Sequence, residues 1–260
     1  MTEQRNKSAL ARAMGVSRAS LYYRAKQPAK DWALKVRIEE ELCELPSYGS
    51  RNLAIALRMG RERVRRVMRL FGIKPYRRHG KRYRKRKVKQ MFPNLLLESM
   101  PSYPHHIWAT DFTELMFRGQ RVYISTILDI FTRRIIAVHV AVRKGAALSV
   151  ETLMQALMHC PKPAILHSDN GREYMAKAFM DILEACGIAI SRSAPGCPWE
   201  NGYQESFYDK FKVDFGDPNR WKTLGELVAE IHRAIWTYNH TRIHSALRMP
   251  PAVFAERLAA

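Results

Sequence analysis

From residue 105 onward the chain adopts a period-two alternation of apolar and polar residues. That switch limits its fold more than any other feature. His106 to Leu115 alternates loosely and ends in the turn Arg118-Gly119-Gln120. Arg121 to Leu128 is rich in β-branched residues, and Ile135 to Val142 repeats the pattern. Two short turns join the three segments, which predicts an antiparallel meander. Ala146 to His159 then has helical spacing, Ala164 to Ser168 is a short apolar strand, Ala176 to Cys186 a helix and Ile188 to Ile190 a strand. A Pro/Gly loop, Ser193 to Pro198, precedes a helix from about Trp199 to Val213. The expected architecture is α+β/α/β, a mixed five-stranded sheet with flanking helices.

The charge divides the chain elsewhere. Of its 260 residues, 44 are Lys or Arg and 24 are Asp or Glu, a net of +20. Residues 1–100 hold 26 basic and 8 acidic residues, whereas residues 101–260 are almost neutral with 18 and 16. A charge that served only solubility would not segregate this way. A strongly basic half beside a neutral one points to a region that grips a polyanion, nucleic acid first of all.

That basic half reads as all-helical. Residues 6–27 suggest a small helix-turn-helix in which Leu10, Val16 and Leu21 pack two helices around a turn at Gly15. Arg18 and Ser20 would then stand near the start of a recognition helix, within reach of base edges. A second unit spans residues 31–73. Its helix from Arg61 to Leu70 buries Val64, Val67 and Met68 and turns Arg61, Arg63, Arg65, Arg66 and Arg69 outward, with Glu62 as the only acid. Arg61, Arg65 and Arg69 are expected to face phosphates. Residues 74–89 add ten positive charges and no acid, with Tyr76 and Tyr83 interleaved. A localisation signal is the usual alternative for such a run, but it does not explain the helices upstream. Arg77, Arg78, Arg82 and Arg84 are read as tracking a nucleic-acid backbone. The expected divisions are a helix-turn-helix DNA-binding region at 1–73, a basic linker at 74–100 and the sheet-containing domain at 101–260.

Several classes drop out. No run approaches the ~18 apolar residues of a membrane span, and the polar N-terminus has no secretory core behind it. The expectation is a soluble, cytoplasmic chain with no membrane partner. Cys43, Cys160, Cys186 and Cys197 form no C-x-x-C pair, so neither a zinc ribbon nor a finger is expected.

Three acids fall at telling places in the predicted elements. Asp111 lies on the first strand, Asp169 just after the fourth, and Glu205 on the late helix with 35 residues between it and Asp169. Around them stand Trp108-x-x-Asp111-Phe112-Thr113, His167-Ser168-Asp169-Asn170-Gly171-x-Glu173-Tyr174, and Pro195-Gly196-x-Pro198-Trp199-Glu200-Asn201-Gly202-x-x-Glu205-Ser206-Phe207. Tyr238-Asn239-x-x-Arg242-x-His244-Ser245 closes the series. Over residues 48–254 the chain resembles a DDE transposase of the retroviral-integrase superfamily. It is most similar to the downstream-frame catalytic protein of the insertion-sequence-three family.

The resemblance implies an RNase H-like core and a polynucleotidyl transferase acting on double-stranded DNA, both element ends and target. It makes Asp111, Asp169 and Glu205 the catalytic, metal-holding triad for two Mg²⁺ ions, with Mn²⁺ as a substitute and Asp111 as the bridge. Two ions ~3.5–4 Å apart activate the attacking oxygen and neutralise charge on the phosphate, and Mg²⁺ prefers hard oxygen ligands. Asn170 and Gly171 are expected to shape the turn at Asp169, and Gly202 to let DNA approach. Lys212, two turns after Glu205, is expected to hold a phosphate. A homo-oligomer on DNA and fusion to an upstream frame are further implications. Two other readings stay open: a transposase-derived DNA-binding regulator without catalysis, and an RNase H-like nuclease.

Overall fold

A computed structural model describes residues 7–22, 26–76, 92–194 and 197–259. The sheet has the order β3-β2-β1-β4-β5. β1 (Ile107–Phe117), β2 (Gln120–Asp129) and β3 (Ile135–Ala141) form the meander. β4 (Ile165–Ser168) and β5 (Ala189–Arg192) add in parallel on the other side of β1. The sheet is therefore mixed, as the element order requires. Between them run α5 (Ala146–His159) and α6 (Lys177–Ala185), followed by α7 (Gly202–Phe215), α8 (Leu224–His240) and α9 (Pro251–Ala259).

Alternation along the strands builds two cores. Ile107, Ala109, Leu115 and Phe117 face Phe207, Phe211 and Phe215 of α7 and Leu227, Ile231 and Ile235 of α8. On the opposite face Trp108, Ile127 and Leu166 pack on Leu153 and Ala156 of α5 and Phe179 and Leu183 of α6. Asp111 shares the parity of Ile107 and Ala109, so it points to the α7 side. Thr223 begins α8 with a reciprocal cap, accepting from Glu226 N at 3.1 Å while its own N–H donates to Glu226 Oε2 at 3.4 Å.

The N-terminal helices are α1 (Lys7–Ala13), α2 (Gln27–Glu44), α3 (Ser50–Ala56) and α4 (Arg61–Leu70). Leu34 and Ile38 of α2, Leu53 of α3 and Val64, Val67 and Met68 of α4 form a separate core. This unit is fastened to the C-terminal part by polar contacts. Asp214 of α7 accepts from Ser47 N and Oγ, both at 3.0 Å, and from Arg242 Nε at 2.9 Å. Tyr48 accepts the Ile243 N–H at 2.7 Å, and Asn52 donates to the Ile243 carbonyl at 3.1 Å. Arg242, 3% exposed, therefore holds the closing segment on the helical unit.

The first helical pair differs from the sequence expectation. Residues Arg18–Tyr22 form a short 3-10 turn, and Leu10 and Val16 are both 41% exposed. Ala11 is the buried residue of α1. Ser17 holds the turn through its Oγ, which accepts the Ser20 N–H at 3.2 Å.

Candidate active site

Asp111 lies within β1, opposite Thr126 of β2. α7 is pinned across this point by side chains that reach backbone carbonyls. Gln204 Nε2 donates to Ala109 O at 2.7 Å, and the Tyr208 hydroxyl donates to Asp111 O at 2.8 Å. Thr126 Oγ1 lies within hydrogen-bond distance of both, 3.1 Å from Gln204 Oε1 and 2.7 Å from Tyr208 Oη. Gln204 and Tyr208 are buried and one turn apart. The helix register they fix sets Glu205, beside Gln204, at the strand that carries Asp111.

Asp169 follows β4 at the same end of the sheet and is exposed. Its Oδ1 accepts the Gly171 N–H at 2.8 Å. Its carbonyl accepts from Ser168 Oγ at 2.9 Å and from Arg192 Nη1 at 3.1 Å. Arg192 is fully buried on β5, and it also donates to Ser168 Oγ and to the Tyr174 carbonyl, each at 2.6 Å. Asn170 Nδ2 donates to Ser193 O, tying the Asp169 turn to the chain leaving β5. A Cβ on Gly171 would lie 2.8 Å from Glu173 Oε2 and 3.0 Å from Asp169 Oδ1, so any larger residue would push these carboxylate tips aside. A Cβ on Gly202 would meet nothing within 4 Å, and no contact inside the chain demands glycine at that position.

The electrostatics join the three acids. Burial raises the Asp111 carboxyl to about 7, the charges of Asp169 and Glu205 add to the rise, and the Phe112 N–H and Lys144 oppose it. The Glu205 carboxyl is also raised, by burial and by Asp209. Lys144 Nζ pairs with Glu173 at 3.0 Å. Among the described residues no three carboxylate, thiol or imidazole groups converge closely enough to hold an ion. The donor set nevertheless fits one: three carboxylates supply hard oxygens, and their mutual repulsion is what a divalent cation relieves.

Residues 101–198 match the integrase core domain family, and residues 186–251 match a second integrase core domain. An insertion element IS407 protein of Burkholderia multivorans, an uncharacterized 31.7 kDa chain, is 30% identical over 95% of this chain and 89% of its own length. The putative transposase InsK for insertion sequence element IS150 of Escherichia coli is 28% identical over 92% of this chain and 89% of its own. The chain belongs to the DDE transposases of the integrase superfamily. In fold the transposase is similar to a chain of the simian T-cell lymphotropic virus intasome in complex with PP2A regulatory subunit B56 gamma. That alignment has a TM-score of 0.52 and 16% identity, covering 80% of this chain and 74% of that one. The core of the transposase is RNase H-like, and its activity is that of a polynucleotidyl transferase.

Of the remaining sequence-predicted residues of the transposase, Arg18, Ser20, Arg61, Arg65 and Arg69 lie on the N-terminal helical elements and Lys212 lies on α7. Arg61, Arg65 and Arg69 are exposed on α4, where Arg65 pairs with Glu62 at 2.9 Å and Arg61 Nε reaches Ser50 Oγ at 3.4 Å. Arg66 does not belong to an uncompensated set: it makes a two-pronged ion pair with Asp31, whose side chain is buried on α2. That pair tethers α4 to α2 and is invisible in the local sequence because 34 residues separate the partners. Arg18 and Ser20 are exposed on the 3-10 turn. Lys212 is half-buried and lines a groove with Tyr76, Glu114 and Met116. Arg77, Arg78, Arg82 and Arg84 lie outside the described residues.

Sequence reasoning missed Gln204, Tyr208 and Arg192. Gln204 and Tyr208 had one legible signal: they flank Glu205 at i−1 and i+3 on a helix that must cross β1. Arg192 had none, because a cation beside a Pro/Gly loop reads as solvated.

No helix among the described residues is long and apolar enough to cross a membrane.

Proposed function

We propose that the transposase binds the terminal inverted repeats of an insertion sequence, cleaves at the element ends and joins a 3′-hydroxyl to a target phosphate. One observation carries the reading: Asp111, Asp169 and Glu205 come to one end of an RNase H-like sheet, where Asp111 feels the charge of both others. Asp111, Asp169 and Glu205 would hold two Mg²⁺ ions, or Mn²⁺ in their place. When bound, such ions supply an activated oxygen nucleophile and neutralise charge on the phosphate and the leaving oxygen. Gln204 and Tyr208 keep Glu205 and Asp111 in register, and Arg192, Asn170 and Gly171 hold the turn that presents Asp169. Positioning of this kind costs nothing at the moment of reaction.

Residues 1–73 serve as the DNA-binding region, 74–100 as the basic linker and 101–260 as the catalytic domain. Arg18 and Ser20 read bases, while Arg61, Arg65, Arg69 and Lys212 contact phosphates, with Arg77, Arg78, Arg82 and Arg84 of the linker. Working on two element ends at once calls for a homo-oligomer on DNA. An upstream-frame fusion partner is compatible with the N-terminal helices, and the site of action is the bacterial nucleoid.

The test replaces Asp169 by Asn, which keeps shape and removes one ligand charge. Strand transfer with Mg²⁺ on element-end DNA should fall by at least about a hundredfold, while end binding in a mobility-shift titration holds. Wild-type strand transfer by Asp169→Asn would refute the triad.

A further inference from the structure

A cavity of about 620 Å³ lies against the face of α7 that carries Tyr203, Phe207 and Lys210. Glu205 is turned away from that face. The volume falls within the roughly 300–1,000 Å³ of small-ligand sites. Its floor is aromatic and aliphatic, from Tyr203, Phe207, Tyr238 and Leu128. Its rim holds Arg133, Lys210 and His244.

None of the three rim groups forms an ion pair among the described residues. Arg133 stands in the left-handed region at φ 63°, with its guanidinium 4.2 Å above the Tyr203 ring. Its Nε is buried with no hydrogen-bond partner, and so is Nδ1 of His244. Among the described residues Lys210 Nζ donates within its own helix turn, to Ser206. Burial holds the His244 imidazole down to about 4, and the neighbouring charges of Arg133, Lys210 and Arg242 add to that effect. Burial and Arg242 push the Lys210 ammonium down as well, against Asp209 and Asp214. The acid that lines the cavity, Glu200, is already engaged: its Oε2 accepts from Ala194 N at 2.6 Å and Asn94 Nδ2 at 2.8 Å. A buried guanidinium nitrogen with no acceptor, beside a second cation at Lys210, lacks an anion. An aromatic floor beside them calls for a flat apolar ring on the same ligand.

We propose that this cavity binds one nucleotide unit, with the base against Tyr203, Phe207 and Tyr238 and the phosphate on Arg133 and Lys210. Gly202, one turn before Glu205, also lines the cavity, whereas none of the three acids does. The inference rests on the transposase reading above. On that reading the unit is a nucleotide extruded from bound DNA, and a free nucleotide has the same chemistry.

The experiment uses the full chain without divalent metal. Calorimetric titration with dAMP should show binding, and inorganic phosphate should bind about tenfold more weakly or less. Arg133→Gln and Lys210→Gln should each weaken dAMP about tenfold, with melting temperatures compared to wild type so that misfolding is separated from weakened affinity. In a second arm, element-end duplexes carry a fluorescent adenine analogue at successive positions. A fluorescence rise at one position, abolished in Tyr203→Ala while duplex affinity is kept, identifies DNA as the source. Binding of dAMP with no such rise identifies a free nucleotide. Absence of both signals overturns the subsite, as does dAMP affinity unchanged in both folded variants, or phosphate binding as tightly as dAMP. Strand transfer with Mg²⁺ on the same duplexes is scored separately, so the transposase reading can fail while nucleotide binding stands, and the reverse.

Discussion

The carboxylates at the sheet end and the arginines on α4 are held in opposite ways. Asp111, Asp169 and Glu205 belong to backbone that is fixed by buried polar side chains, Gln204, Tyr208 and Arg192, each donating to a carbonyl beside one of the acids. Arg61 and Arg69 extend from an exposed helix face, where among the described residues Arg61 makes one long bond, to Ser50. One region spends folding energy to aim its groups, while the other leaves long side chains free to find a partner. Phosphoryl chemistry tolerates little misplacement, whereas gripping a uniform charged backbone needs only positive charge at about the right spacing. The two regions should therefore respond differently to mutation.

The largest contrast is expected at Arg192. It is fully buried and satisfies the Asp169 and Tyr174 carbonyls together with Ser168 Oγ. Arg192→Met keeps most of the volume and leaves those acceptors unpaired, at a cost of about 3 kcal/mol. The Asp169 turn loses its tether, so strand transfer should fall further than the loss of folded protein explains. Urea unfolding and specific activity per folded molecule measure the two effects. A variant as stable and active as wild type would show that the turn does not depend on its buried cation.

Much of this division is legible in the sequence because period and charge are local signals. α4 and α5 begin and end where the apolar spacing puts them, and the meander follows from three alternating runs and two turns. The order of elements then delivers Asp111, Asp169 and Glu205 to one end of the sheet. What stays hidden depends on partners far apart in the chain. Asp31 with Arg66, Ser47 with Asp214, and Arg192 with the Asp169 carbonyl are each joined across a gap that no window spans. At residues 6–27 the local pattern misleads in the other direction. A plausible apolar triplet satisfies the helix-turn-helix spacing, but Leu10 and Val16 each stay 41% exposed and Arg18–Tyr22 forms a 3-10 turn.

A smaller effect follows from the clustered acids. The Asp111 carboxyl, raised to about 7 by burial and then by Asp169 and Glu205, keeps in the folded chain a proton that the unfolded chain has lost. Stability of the metal-free protein should therefore fall as pH rises from the ordinary carboxylate value toward about 7, by at most about 1.4 kcal/mol per pH unit from this group, and level off above. Glu205, also raised, adds to the slope just above its own ordinary value. Asp111→Asn removes the Asp111 contribution, so it should be more stable than wild type at pH 8 without metal and should converge with it near pH 4. Adding Mg²⁺ at pH 8 should restore wild type and leave the variant unmoved. Denaturant midpoints from pH 4 to 8 in chelator decide it, and parallel curves for the two proteins would mean that Asp111 does not carry the strain.

The smallest effect on folding, and the one that isolates the exposed region, is expected from Arg61, Arg65 and Arg69. Replacing all three by Ala removes only solvent-facing interactions, namely Arg65 with Glu62 and the long Arg61 bond to Ser50. Each change should alter stability by no more than about 0.5 kcal/mol. Affinity for any duplex should drop, and the slope of log affinity against log salt should flatten by about 0.9 for each phosphate no longer neutralised. Specific and random DNA should weaken alike, because groups that hold phosphates position the duplex without reading its sequence. Arg66→Ala is the internal control. Its partner Asp31 is buried, so this single change should lower the melting temperature more than the triple variant does, with a smaller change in salt slope. If instead the triple variant melts earlier than Arg66→Ala, or binds DNA with an unchanged salt slope, these arginines are part of the scaffold and the contrast between aimed and displayed charges disappears.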